Sequence, residues 1–173
     1  MTYATRRPVV GVPGSLIVPN GSGLAPVLLG AQNTAAGTAN QGYYIPFMAP
    51  YDTAVATMSF YCAAGTNNHD LGIYDASGNR LTSRGSTATT AGAVNTWTLG
   101  TPQPVTAGTL YYAAWSTAGT STHAMTNTGG NNLRATVLGV WTQAIGAVTL
   151  PNPATFAAPG TLNVPYIRLT FTT

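Results

Sequence analysis

Lysine and glutamate do not occur in this chain of 173 residues, and its whole charge is six arginines and three aspartates. Charged residues make up 5% of it, against roughly 25% in an ordinary soluble domain. A free monomer usually keeps itself apart from its neighbours by displaying mixed charges. Here threonine, serine, asparagine, glutamine and glycine have to fill that role. Such a surface loses little when water is removed from it, so much of it can lie against other protein. The formal net charge of +3 is no nucleic-acid signature. Arg6 and Arg7 form the one basic pair, and a surface that tracks phosphates needs more cations.

Cysteine is nearly absent too. Cys62 stands alone, which excludes an internal disulfide and a cysteine-based zinc cluster. In "MSFYCAA" it reads as a small core residue. No apolar run approaches the ~20 residues of a membrane-spanning helix. The first twenty residues are apolar after Arg6 and Arg7, but proline and glycine cut them repeatedly. We therefore expect no signal peptide, and no glycan on the sequon at Asn20.

The scarcity of acids bears directly on catalysis. A glycosidase needs two carboxylates facing each other across a bond, and Asp52, Asp70 and Asp75 show no such pairing. Asp75 precedes "ASGN" and starts a turn. Asp52 follows "APY" at a turn or strand start. His69 and His123 are the two histidines. His69 sits in "GTNNHD", which reads as a polar loop. Placed on a strand, His69 and Asp70 would point to opposite faces, a poor arrangement for a base and its orienting partner. There is no "GxSxG" elbow and no "GKS" or "GKT" phosphate loop. "NNHD" offers oxygen ligands without the acidic density of a tight calcium site. The sequence thus leads us to expect no catalytic residue, no cofactor, no metal and no enzyme.

What is present is a strand vocabulary. Threonine, valine and aromatics abound, glycine and proline punctuate, and no segment holds a helical apolar period over three turns. "LGIYDASGNRLTSRG" reads as a hairpin. Leu71 and Ile73 share a face, and alternation stops at a turn where Gly78 and Asn79 tolerate positive φ. "YYIPFMA" (Tyr43–Ala49) is a strand whose Pro46 argues for an edge or a bulge. "TAVATMSFYCA" (Thr53–Ala63), "VNTWTL", "TLYYAAWS" (Thr109–Ser116) and "LRATVLGVW" (Leu133–Trp141) follow, with "THAMT" a weaker candidate. "LNVPYIRLTFT" closes the chain, with Pro165, Ile167, Leu169 and Phe171 on one face. "TPQPVTAG" is expected to connect two strands. Turn signals every 8–12 residues predict an all-β antiparallel sandwich, jelly-roll-like. Residues 1–40 are apolar but broken, with "SLIV" and "APVLL" as short strands. They read as an extended N-terminal arm or anchor, and 41–173 as the sandwich domain.

The aromatics concentrate in these strands. In "YY" pairs one ring faces the core and the other faces away from it. An outward Tyr or Trp could stack on a sugar ring, while the simpler reading places these rings in core and subunit interfaces. Tyr44, His69, Tyr112, Trp115 and His123 are the residues we expect to meet a ligand or partner.

The run from Tyr61 to Ser116, with "LGIYDASGNRLTSRGST" and "VNTWTLGTPQPVTAGTLYYAAWS", resembles modules of bacteriophage tail and virion proteins. The resemblance covers about a third of the chain. It implies a jelly-roll-like β-sandwich on a virion surface, as capsid decoration, fibre or minor tail component. The same "AGTYYLA"-like pattern is similar to carbohydrate-binding modules. It carries no catalytic residues. The implied partners are other virion proteins, further copies of the chain, with a trimer favoured, and a host-surface glycan. Neither nucleic acid nor membrane is among them. The implied location is the virion, assembled in the host cytoplasm.

Overall fold

The computed structural model describes residues 15–20, 23–28, 31–49, 51–127, 140–157 and 163–172. Among them there are strands and turns and no helix. Two sheets with antiparallel ladders pack face to face as a β-sandwich. The larger holds β1 (Ser15–Asn20), β2 (Gly23–Leu28), β3 (Ala31–Ala36), β5 (Thr53–Ala64), β9 (Ala93–Val105), β11 (Thr122–Asn127), β13 (Asn163–Pro165) and β14 (Arg168–Phe171). The smaller holds β4 (Gln41–Met48), β6 (Asn68–Asp75), β7 (Arg80–Ser83), β8 (Thr87–Ala88), β10 (Leu110–Thr117) and β12 (Trp141–Ala144).

The core between the sheets follows from period-two alternation. From the smaller sheet come Tyr43, Ile45, Phe47, Leu71, Ile73, Tyr111, Ala113 and Trp115; the larger contributes Val55, Met58, Phe60, Cys62, Leu99, Leu169 and Phe171. In β5 the alternation runs through a bulge after Val55, which lets both Val55 and Met58 face inward. Val94 and Leu99 fall on opposite faces of β9, as their spacing requires: Val94 is 65% exposed and Leu99 is buried. Pro165, Ile167, Leu169 and Phe171 all point inward, and β14 lies between β5 and β2 rather than at an edge. Pro46 sits in the half of β4 beyond the end of β12, where among the described residues β4 has a neighbour on one side only. That is where a residue without an N–H is tolerated.

One element differs from the sequence expectation. β9 continues through Thr101–Val105, because "TPQPV" pairs with Thr53–Val55 instead of leaving the sheet. The segment read as an N-terminal arm supplies β1, β2 and β3; β2 pairs with β14 and β3 with β11. β1 contains the expected "SLIV", and β2 contains the "APVL" of the expected "APVLL", whose Leu29 lies outside the described residues. Residues 1–14, and all of the expected "LRATVLGVW" strand except Val140 and Trp141, lie outside the described residues.

The hairpin at Leu71–Gly85 forms as read, with β6 and β7 antiparallel. Gly78 takes φ +86°, and the carbonyl of Ala154 approaches it so closely that a Cβ would lie 2.8 Å from the oxygen. Asn79 does not need the left-handed region. Its amide group and backbone N–H donate to the two carboxylate oxygens of Asp75, at 2.8 and 2.9 Å, and close the turn through the side chain.

A third layer covers the outer face of the smaller sheet. Tyr44, Tyr74, Tyr112 and Ala114 form a second core there with Leu150, flanked by Trp141, Ala154 and Phe156. The cover is residues 145–157, which follow β12, with the Trp141 side chain of β12 beside them. As a result β4 and β10 are buried on both faces through most of their length.

Candidate functional site

All five side chains expected at a ligand or partner surface are buried. They fall into two groups on opposite faces of the smaller sheet. Tyr44 and Tyr112 belong to the outer cluster; His69, Trp115 and His123 lie together between the sheets. The reason is local. Tyr44 and Tyr112 are the outward rings of their "YY" pairs, as alternation demands, but the 145–157 strap closes over them.

The strap is fixed by polar contacts as well as by Phe156, whose ring lies 5.0 Å from that of Tyr44 and 4.7 Å from that of Tyr112. The Tyr44 hydroxyl donates to Gln143 Oε1 at 3.0 Å, and the indole N–H of Trp141 donates to the Tyr112 hydroxyl at 3.2 Å. Tyr74 donates to the carbonyl of Pro151, Arg80 to that of Leu150, and Ser116 to that of Val148. The Ala154 N–H donates to the Gly78 carbonyl at 2.8 Å. Burial pushes the hydroxyls of Tyr44 and Tyr74 well above the ordinary tyrosine range, so both remain neutral donors.

Asp70 is the central polar group of this face. It is wholly buried, and its carboxylate accepts from the Leu150 N–H at 2.9 Å, from the Gly85 N–H at 2.8 Å and from the Ser83 hydroxyl at 3.0 and 3.1 Å. Burial pushes its carboxyl up; the donors of Leu150, Ser83 and Gly85 pull it back. The other two aspartates are also occupied by the backbone. Asp52 accepts from the Ala107 N–H at 2.8 Å, and Asp75 closes its turn.

Between the sheets, His69 does not lie in a loop. β6 begins at Asn68, so His69 is already a strand residue and faces the core, while Asp70 faces the opposite side. The polar letters of "NNHD" hid this, because a histidine in a core looks no different in sequence from one in a loop. His123 comes from β11 of the other sheet. The two Nε2 atoms lie 3.1 Å apart. Around them stand Phe60, with ring centroids 5.0 Å from His69 and 5.8 Å from His123, and Trp115, at 5.5 and 4.7 Å. The Nδ1 atoms of both histidines and Nε1 of Trp115 are buried with no hydrogen-bond partner among the described residues. Burial lowers the pKa of His69 to about 4, the Asn67 carbonyl opposing. For His123 burial and the neighbouring His69 lower it to about 3, the Tyr61 carbonyl opposing.

Chemically, the pair is two neutral imidazoles in contact, closed to solvent and held uncharged by burial. Among the described residues no group of three or more His, Cys, Asp or Glu is placed to hold a metal ion. Cys62 pairs in register with His123, but its thiol points to the carbonyls of Ala64 and Gly65, at 3.7 and 3.4 Å.

Two surface features were missed by reading for chemistry. Val94 and Tyr61 are direct cross-strand partners on the outer face of the larger sheet and are among its few exposed large apolar side chains. Val94 lies on β9, which pairs with β5 on one side and, among the described residues, with nothing on the other. The 13 residues of β9 carry no charge. The signal was present in "AVNTWTLGTPQPV", which lacks the lysine or other charge that commonly blunts an exposed sheet edge.

No protein-family model matches the chain, and no curated protein matches it.

Proposed function

We propose that this chain is a non-enzymatic structural protein of a bacteriophage virion, placed on the capsid or tail surface and acting by protein–protein assembly. The observation that carries the reading is the uncharged outer edge of β9, beside the exposed Val94–Tyr61 pair. An open edge presents a row of unpaired N–H and C=O groups as a template for another strand. Charged side chains, inward bulges or a covering loop normally protect such an edge. Here Pro102 and Pro104 blunt the distal half, and among the described residues Ala93–Gly100 has no such protection. The sparse charge of the whole chain supports the same reading, since little must be desolvated when copies meet. Each aspartate is engaged by backbone donors, which fits a structural role for all three.

The proposed partners are other virion proteins and further copies of this chain, with a trimer favoured. Host-surface attachment through a glycan is a second part of the proposal. If a glycan binds, the exposed ring available to it on the larger sheet among the described residues is Tyr61, with exposed Thr96 nearby on β9. Binding by a free carbohydrate-binding module through Tyr44, Tyr112 or Trp115 would first require the strap or the sandwich to open.

Light scattering after size exclusion tests the assembly, with Thr96→Lys and Thr98→Lys as controls. Both side chains are exposed, so the substitutions leave the core alone. The expected result is a trimer or other homo-oligomer that the lysines dissociate. A wild-type monomer that also fails to bind phage particles would refute the proposal.

A further inference from the structure

We propose that the buried His69–His123 pair is a proton-operated latch: when both imidazoles carry a proton, the two sheets separate at the end of the sandwich where β6 faces β11. The latch is a property of the fold and does not rest on the virion reading.

Valence carries the argument. The two Nε2 atoms meet at 3.1 Å, so one is an N–H donor and the other a lone-pair acceptor. The two rings are therefore opposite tautomers. One added proton can be accommodated at an Nδ1 with the Nε2–H···Nε2 bond intact. A second leaves N–H groups on both sides of the contact, and no acceptor remains between them. Each histidine belongs to a different sheet, so losing this bond acts across the sandwich and not along a strand.

Among the described residues no opposite charge compensates a proton on the pair; the carbonyls of Asn67 and Tyr61 favour the charged form but do not outweigh burial. The titratable groups facing the pair from the surrounding strands are Tyr43 on β4 and Cys62 on β5. Asp70, though adjacent to His69, is turned to the other face of β6 and engaged by Leu150, Ser83 and Gly85. No arginine or carboxylate among the described residues faces the imidazoles. The immediate wall is Phe60 and Trp115, which offer ring surface but no anion. A buried imidazolium in such a wall is unfavourable, and two at this distance repel.

The chain around the latch is also held lightly. Outside the ladders, single hydrogen bonds join the loops at this end, among them Asn67 Nδ2 to Ser121 Oγ at 2.7 Å, the Thr89 hydroxyl to the Asn67 carbonyl at 3.0 Å, the Ala118 N–H to the Asn68 carbonyl at 2.9 Å, the Asn40 N–H to the Thr117 carbonyl at 2.8 Å and the Gly37 N–H to the Ser121 carbonyl at 3.1 Å. The β11–β5 register shifts between Thr122 and His123, so the ladder is already irregular beside the histidine.

Once the end opens, both imidazoles meet water and titrate as ordinary histidines, near 6.5. The opened state then binds two protons more than the closed one. Its population rises by up to about 100-fold per pH unit as pH falls below about 6, against about tenfold for a single histidine.

Two measurements on the full chain test this. Histidine ¹⁵N and ¹³C NMR should give opposite tautomers at neutral pH and no titration near 6.5 in the closed protein. Hydrogen exchange at β6 and β11 should accelerate with the two-proton steepness as pH falls. The double variant His69→Leu, His123→Leu should lose that steepness and stay protected to lower pH. Two like tautomers would overturn the latch. So would a histidine titrating near 6.5 while β6 and β11 stay protected, or a double variant that opens as steeply as the wild type. Should the double variant not fold, the wild-type tautomers and titration decide the matter alone.

Discussion

Asp70 offers the sharpest test of how the third layer is held. Replacing it with alanine removes the acceptor of the Leu150 N–H, and Leu150 is wholly buried. An orphaned buried donor costs about 1–3 kcal/mol. The Gly85 N–H fares better, because it also reaches the Ser83 hydroxyl at 3.1 Å. Ser83 can turn its hydroxyl to solvent. The small cavity left by the carboxyl adds to the loss, and relief from burying a carboxylate offsets part of it. The net expectation is a loss of about 2–4 kcal/mol, or about 5–15 °C in Tm for a chain of this size. Asp70→Asn retains one acceptor oxygen, which serves Leu150 or Gly85 but not both, and should cost about half as much. Urea unfolding gives the free energy, and limited proteolysis should show earlier cutting within 145–157. The pH dependence has a definite sign. Burial raises the folded carboxyl above its unfolded value, so between those values the folded wild type binds more protons and gains stability as pH falls. Asp70→Asn has no such gain, so the wild-type advantage over it should widen on acidification, with the histidine contribution common to both. An Asp70→Ala variant within about 0.5 kcal/mol of wild type would refute the role of this carboxylate as the anchor of the strap.

Gly78→Ala should destabilise by about 1–3 kcal/mol, since its φ is +86° and a Cβ would press on the Ala154 carbonyl; Gly92→Ala, at φ +69° with open space around it, should cost about 1 kcal/mol or less, and equal losses in thermal unfolding would contradict the role of the Ala154 contact. Phe156→Ala should cost about 1–3 kcal/mol, below the 3–5 of a fully buried phenylalanine, because Phe156 is half-buried against Tyr44 and Tyr112; near-UV circular dichroism should register the loosened tyrosines, and an unchanged spectrum with unchanged stability would show that the ring is not part of the cover.

Much of the sandwich is legible in the chain because alternation is a local property. Leu71 with Ile73, Val94 against Leu99, and Pro165, Ile167, Leu169 and Phe171 each face the side their spacing assigns, and the Asp75–Asn79 turn lies where glycine and asparagine put it. The consecutive apolar letters of "YYIPF" and "LYYAAW" also held a message that alternation alone does not deliver: a strand apolar at every position is covered on both faces. What covers it could not be read, because the strap is an irregular segment some thirty to a hundred residues distant from the rings it meets. The same limit applies to the histidines. Composition determined that this protein would have few charges, one thiol, two imidazoles and three carboxylates. Tertiary structure decided that those two imidazoles meet. His69 and His123 are 54 residues apart, on strands of different sheets, and their contact depends on how the two sheets stack, a distance that no local pattern encodes.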